Sequence, residues 1–373
     1  MNAKTQVKEH PGAFQRREFL QLLGTSALGL ALSDYTSFAG DKPAPRGKSG
    51  AKPLRGVFPI GQTPFTEADK LDLDGLAAEV KFCNRGRVHG FIWPQIASGW
   101  TVLSEQERLD GAEAILAAGK GRRTALVIGV QSQDNDMAAV GRYAKHAAKN
   151  GADAIVSLPP ANVTDEKVLL DYYQQVGRLT ELPLFVQSQG SMSIDLIVEL
   201  FNTIPTFRQV KDEAGDPLQR IAEIRRRTND QLKVFSGNGV RTMVTEMELG
   251  FSGHCPTTAL ADVYAAAFDL WHAGIHAKAF DMFGRILAFN TIVGGGGNNI
   301  LIARGVFKPT TKSRNAPAAA GVDEPAGTGG GGGRGGRGGG RGGGGGGGRG
   351  ARQLDAKEIR AALDAYLKPY LKS

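Results

Sequence analysis

Cysteine is almost absent from this chain: Cys83 and Cys255 are the only two in 373 residues. No CxxC and no clustered Cys/His spacing accompanies them, so neither a structural zinc nor a disulfide framework is expected. Long apolar runs are missing too. The one near the N-terminus, Leu22 to Leu32, is short and rich in Gly, Ala and Ser, which does not suit a stable membrane span. No GxGxxG follows the first predicted strand, which argues against an open dinucleotide-binding sheet. No metal and no cofactor is expected. An excess of positive charge is present, +8 overall, but several of the basic residues sit in the N-terminal segment and in a glycine-rich tract. The net charge therefore says little about the partners of the core.

The N-terminus carries Arg16-Arg17, then the moderately apolar run, then Ser37-Phe38-Ala39. Paired arginines, a short h-region and a small-x-small end match a twin-arginine export signal over residues 1–39, with a linker over 40–53. The mature domain is then expected to act outside the cytoplasm, in a periplasmic or other extracytoplasmic space. An uncleaved signal would retain it at the membrane.

From residue 54 onward, short apolar runs alternate with helical patterns, as a parallel sheet with crossover helices requires. The predicted strands are Gly56 to Ile60, Gly90 to Pro94, Ala125 to Val130, Ala154 to Leu158, Pro183 to Gln187, Phe207 to Lys211, Leu232 to Ser236 and Phe251 to Cys255. Between them, Ser104 with Glu107 forms a capping box before Leu109, Ala112, Ile115 and Leu116. Asp216-Pro217 places a capping carboxylate before a proline at the first helical position, and Leu76, Val80 and Cys83 share one helix face. Eight strand-helix units are the count of a closed (β/α)8 TIM barrel, here over residues 54–256, with reactive groups at the carboxyl ends of the strands.

A C-terminal helical region follows over 257–308, and the aromatics from Asp262 to Asn290 are expected in its core. Residues 309–352 are dominated by glycine with interspersed arginines, a composition that cannot offset chain entropy by burial and should be disordered. A last helix, 353–373, should pack back with Ile359, Ala362, Leu363 and Tyr366 on one side. Arginine-glycine repeats can bind nucleic acid, but interleaved Phe and Tyr are missing, so no nucleic-acid partner is expected.

Strand six ends at Lys211, followed by Asp212-Glu213-Ala214-Gly215-Asp216. At the reference lysine pKa of about 10.4 an amine is almost wholly protonated at neutral pH, so a nucleophilic lysine needs desolvation or neighbouring charge, which a barrel mouth can supply. An ion-paired or snorkelling lysine is the alternative. On the motifs Gly56-Val57-Phe58-Pro59-Ile60-Gly61-Gln62-Thr63-Pro64-Phe65, Val210 to Asp216 and Ser236-Gly237-Asn238-Gly239, the chain resembles the dihydrodipicolinate synthase and N-acetylneuraminate lyase family of class I aldolases, from about Gly56 through Leu287. The resemblance implies that Lys211 forms a Schiff base with a 2-keto acid such as pyruvate or a sugar-derived 2-keto-3-deoxy acid. It also implies a homo-oligomer, tetramer or dimer.

The chain departs from that family at three places, one of them the tyrosine frequently found after strand five, which is replaced around Gln187-Ser188-Gln189. The carboxylate-gripping Gly-Thr-Thr-Gly-Glu loop is replaced by Gln95-Ile96-Ala97-Ser98-Gly99-Trp100, and the proton-relaying tyrosine after strand four by Pro159-Pro160-Ala161-Asn162. Glu213, His254 and Ser98 with a water are the candidates for the lost acid-base work. Ser98, Gly99, Gln187, Ser236, Gly237, Asn238 and Cys255 are the candidate substrate contacts. Two function classes follow: an aldolase or dehydratase, or a degenerate barrel that binds a keto acid or sugar acid without turnover.

Overall fold

In a computed structural model the protein is described over residues 52–237, 240–294, 297–314 and 354–371. The expected export signal, most of the linker and the tract beyond residue 314 lie outside the described residues. All eight expected strands form: β1 (Gly56–Val57), β2 (Gly90–Trp93), β3 (Ala125–Gly129), β4 (Ala154–Ser157), β5 (Leu184–Ser188), β6 (Phe207–Asp212), β7 (Lys233–Ser236) and β8 (Gly253–His254). They pair in parallel in the order β1-β8-β7-β6-β5-β4-β3-β2. Just beyond β1 the ring closes, because Ile60 bridges Ile92, the Ile92 N–H donates to Pro59 O at 3.0 Å and the Gly61 N–H to Ile92 O at 2.9 Å. The architecture is a (β/α)8 barrel.

Strand alternation divides the apolar residues into two layers. Phe58, Ile60, Ile92, Val127, Val156, Phe185, Phe235 and Cys255 fill the interior. Phe58, Phe185 and Phe235 interlock there with ring centroids 5.1–5.9 Å apart, which plugs the barrel below its mouth. Val57, Phe91, Trp93, Ile128, Val186, Val210 and Val234 face the helices instead.

Those helices are α1 (Leu73–Arg85), α2 (Glu105–Gly119), α3 (Met137–Lys149), α4 (Glu166–Gly177), α5 (Ile194–Thr203), α6 (Pro217–Arg227) and α7 (Met243–Glu248). The Ser104/Glu107 capping box closes α2, with both reciprocal bonds present at 3.2 and 2.9 Å. Asp216 caps α6 ahead of Pro217 by accepting from Leu218 N–H at 3.1 Å. Cys83 is buried among α1's core contacts.

The C-terminal region adds α8 (Ala261–His272), α9 (His276–Val293), α10 (Gly297–Ala303) and α11 (Ala356–Tyr366). Ile359 and Leu363 of α11 are buried where it packs on α9 and α10. The expectation that the region's aromatics are core needs correcting. Tyr264, Phe268, Phe283 and Phe289 are buried, but Phe280 is 50% exposed and Trp271 stacks on His276 at 4.2 Å near the surface. Residues 309–314, which composition places in the glycine-rich tract, instead pack on the loop after β1: Lys312 exchanges hydrogen bonds with Phe65 at 2.8 and 3.0 Å. Arg314 then grips both carboxylate oxygens of Glu107 at 3.0 Å. No single helix among the described residues is long and apolar enough to cross a membrane.

Candidate active site

Lys211 lies on the inward face of β6, beside Phe235 of β7 in register, and is only 7% exposed. Its Nζ is 3.1 Å from Oε1 of Glu213. The other carboxylate oxygen, Oε2, accepts a short hydrogen bond from Nε2 of Gln187, the register partner of Lys211 on β5. Lysine, glutamate and glutamine thus form one connected group inside the ring, above its aromatic plug. Gly237 makes room for it. A Cβ at that position would sit 2.0 Å from Glu213 Oε1 and 2.3 Å from Lys211 Cε.

Alternation explains how the segment is held. Between the inward Lys211 and Glu213, Asp212 turns outward and is fully buried, accepting from Ser188 Oγ and, at 3.0 Å, from Arg220 Nε of α6. The Glu213 N–H donates to Ser188 O at 3.2 Å. Gly215, at φ +56, then supplies the left-handed turn that leads to the α6 cap, a conformation favouring glycine. The lysine strand is therefore anchored from behind, which fixes where its side chain enters the barrel.

Two candidates turn away from this group. His254 ends β8, one step before the inward Cys255, and so points out of the barrel, where its Nδ1 lies 2.7 Å from Glu246 Oε2 and both side chains are buried. The Ser236 hydroxyl faces the same way and donates to Glu246 Oε1 at 2.7 Å, joined by Thr242 Oγ1 at 2.8 Å. Burial pushes the Glu246 carboxyl upward, but the His254 contact and the two hydroxyl donors outweigh it and hold the group below the usual carboxylate range. His254 and Ser236 build this outer cluster and not the Lys211 group. Cys255 does face inward, near enough to Lys211 and Glu213 to feel their charge, yet burial pushes its thiol up to about 12, which makes it a pocket wall and not a nucleophile.

Ser98 and Gly99 lie elsewhere on the mouth. The Ser98 hydroxyl donates to Gly61 O at 2.6 Å and accepts from the Gln95 N–H at 3.0 Å, so it is committed to the loop. Both residues line a cavity of about 260 Å³ with Gln62, Thr63, Asn298 and Arg314, and Lys211 is not among its lining residues. Asn238 lies outside the described residues.

No tyrosine replaces the missing one among the described residues. Tyr172 and Tyr173 sit on α4 behind the sheet, the first bonded to Ser157 Oγ at 2.8 Å and the second reaching only the backbone oxygen of Gln187 at 3.4 Å. Sequence reasoning missed a set of buried amides: Gln131 Nε2 donates to Pro94 O at 3.0 Å, and Gln95 Nε2 to Gln131 Oε1 at 3.3 Å. Arg108 braces that corner by donating to Gly129 O at 2.9 Å; its burial lowers the guanidinium to about 10. A Gln at each of two strand ends is the signal that was available. Among the described residues no three His, Cys, Asp or Glu side chains gather as a metal-binding group.

With this geometry in place, comparison with known proteins finds that residues 53–306 match the model of the dihydrodipicolinate synthetase family. A 4-hydroxy-tetrahydrodipicolinate synthase of Rhizobium meliloti is 26% identical over 253 residues, covering 64% of this chain and 83% of the relative. An N-acetylneuraminate lyase of the same organism is 26% identical over 230 residues, covering 59% and 74% respectively. Among solved structures, dihydrodipicolinate synthase from Rhodopseudomonas palustris superposes with a TM-score of 0.64 at 21% identity, over 72% of this chain and 93% of that one. That likeness concerns the fold.

Proposed function

The chain belongs to the dihydrodipicolinate synthetase family, and on that premise we propose that it is a Schiff-base lyase in which Lys211 attacks a 2-keto acid and Glu213 moves the protons. The observation that carries this reading is the burial of Lys211, 7% exposed on the inward face of β6, with Glu213 Oε1 3.1 Å from its Nζ, a contact that is also the ion pair the alternative reading of this lysine expects. An ammonium cannot attack a carbonyl, and Glu213 is the base within hydrogen-bond reach that can take its proton.

The neutral amine adds to the C2 carbonyl of the keto acid. The carbinolamine loses water and leaves an iminium. For a 4-hydroxylated substrate, the Glu213 carboxylate then takes the C4 hydroxyl proton. The C3–C4 bond breaks, its electron pair enters the iminium to give an enamine, and an aldehyde leaves. Glu213 returns the proton to C3, and water hydrolyses the resulting iminium to pyruvate and free Lys211. Removal of a C3 proton from the iminium followed by expulsion of the C4 hydroxyl, together one water, would give the dehydratase course on the same lysine. Either course asks one carboxylate to do what a tyrosine relay does in the related enzymes, work worth about a hundredfold or more in rate.

A second reading, a binding barrel without turnover, is favoured by the Ser98 hydroxyl being committed to Gly61 O and by the described tyrosines all lying outside the sheet. The two part in a coupled assay. Pyruvate released from a 2-keto-3-deoxy sugar acid by the wild type, and not by Lys211→Ala, supports the lyase. Thermal stabilisation by the same acid without pyruvate or any dehydrated product supports the binder. The Arg16-Arg17 segment supports a site of action outside the cytoplasm, which export of a reporter fused to residues 1–39, lost on replacing both arginines with lysine, would establish.

A further inference from the structure

Because the strands are parallel, every turn that leads into a strand lies at one end of the barrel, opposite the mouth. At this lower end, residues 52–55, 85–89 and 120–124 lead into β1, β2 and β3 and contain no acidic residue. They expose Arg55, Arg85, Arg87, Lys120, Arg122 and Arg123, and among the described residues none of the six makes an ion pair. The three turns form one patch, since Lys52 Nζ donates to Thr124 O at 3.0 Å and the Thr124 N–H to Asn84 Oδ1 at 3.2 Å. The carboxylates that border it are engaged, Asp153 with Lys52 at 2.9 Å and Asp269 with His89 at 3.0 Å. Apolar surface adjoins the patch. Arg55 lies 5.5 Å over the Phe268 ring of α8, and just beyond, at the corner between α8 and α9, Ile275 and Phe280 are each 50% exposed. Trp271 meets Phe280 edge-on at 5.8 Å.

We propose that the lower end of the barrel docks on an anionic lipid bilayer. The six cations meet headgroup phosphates, while Ile275 and Phe280 enter the boundary between headgroups and acyl chains. Docked this way, the barrel mouth, with Lys211 near the carboxyl end of β6, opens away from the bilayer into water. Two other occupants fit less well. Nucleic acid would need free aromatic faces for its bases, but Trp271 is stacked on His276 at 4.2 Å and Ile275 has no ring. A second copy related by a two-fold axis would set this cationic patch against itself. The sequence before Lys52, which joins the fold at this same end, adds Lys42, Arg46 and Lys48 with no acid between residues 42 and 51. The proposal does not depend on the chemistry assigned to Lys211.

The test is co-flotation of the full chain with vesicles of equal parts phosphatidylcholine and phosphatidylglycerol, beside vesicles of phosphatidylcholine alone and single-stranded DNA at the same salt. The protein should bind the anionic vesicles, come off them as salt is raised, and ignore the neutral ones. Arg122→Gln combined with Arg123→Gln should weaken that binding by about fivefold per cation removed. Ile275→Ser combined with Phe280→Ser should weaken it as well. All four positions are exposed, so both variants should keep the circular dichroism spectrum of the wild type. Anionic-vesicle binding unchanged in both variants would put the contact elsewhere in the chain and overturn the proposal. Absence of vesicle binding, or equal binding to neutral vesicles, overturns it too. DNA binding that falls in the arginine variant while vesicle binding does not would make the patch a nucleic-acid surface instead.

Discussion

Lys211 Nζ lies 3.1 Å from Oε1 of Glu213, a residue two positions further along the same chain segment, and Gln187 holds the other oxygen of that carboxylate. Inward lysine, outward aspartate and inward glutamate follow from strand alternation carried one step past the end of β6. The lysine, its base and the base's support therefore come from two neighbouring strands.

Glu213→Gln keeps the shape of the side chain and removes the base. Pyruvate release from a 2-keto-3-deoxy sugar acid should fall about a hundredfold or more, while the circular dichroism spectrum stays that of the wild type. Unchanged turnover in the coupled assay would assign the proton transfers to another group.

Gly237→Ala places a methyl where Glu213 Oε1 and Lys211 Cε now lie. Because the atoms displaced are the ends of two flexible side chains, the barrel should fold with little change in Tm. Adduct formation at Lys211 should nonetheless slow by about tenfold, the kind of loss that follows when a reacting group is moved by an ångström or so.

Glu79 of α1 is fully enclosed, accepts the Gln62 N–H at 3.0 Å, and is pushed by burial up to about 8 against hydrogen bonds that act the other way. A carboxyl whose folded pKa exceeds its unfolded one stabilises the fold fully below about pH 4.5, and that contribution is lost as pH rises through about 8. Glu79→Gln should therefore remove a pH-dependent loss of a few kcal/mol across this window. Urea unfolding of both proteins at pH 5 and pH 8.5 measures it; a stability difference between the two that does not change with pH would contradict the assignment.

Arg304 and Asp262 pair at 2.7 Å between the loop after α10 and the first turn of α8, with side chains 5% and 0% exposed. Arg304→Met removes the bidentate cation partner of a buried carboxylate and should cost about 3–5 kcal/mol in chemical denaturation. A loss below about 1 kcal/mol would mean that Asp262 is satisfied without it.

The barrel was legible because each strand is a short apolar run closed by turn residues, and eight of them in alternation with helices admit few other folds. That Lys211, Glu213 and Gln187 lie together was legible for a related reason: Gln187 and Lys211 come one residue before the ends of β5 and β6, and Glu213 follows one step beyond β6 on the same face. His254 and Ser236 were not. β8 has only two residues, and a single step of alternation decides whether His254 meets Lys211 or Glu246. The Ser98 hydroxyl depends on a backbone oxygen 37 residues away, and the Gln95–Gln131 contact spans 36. Such pairings appear only once the ring has closed. Residues 309–314 escaped because composition marks a tract as a whole, whereas Lys312 and Arg314 at its edge find partners on Phe65 and Glu107.

Intact mass of the protein after incubation with pyruvate and borohydride, beside Lys211→Ala, addresses the central claim most directly. A mass increase equal to one reduced pyruvyl-lysine in the wild type and none in the variant is the predicted result. A folded wild type that gains no mass with pyruvate or with longer 2-keto acids would contradict it.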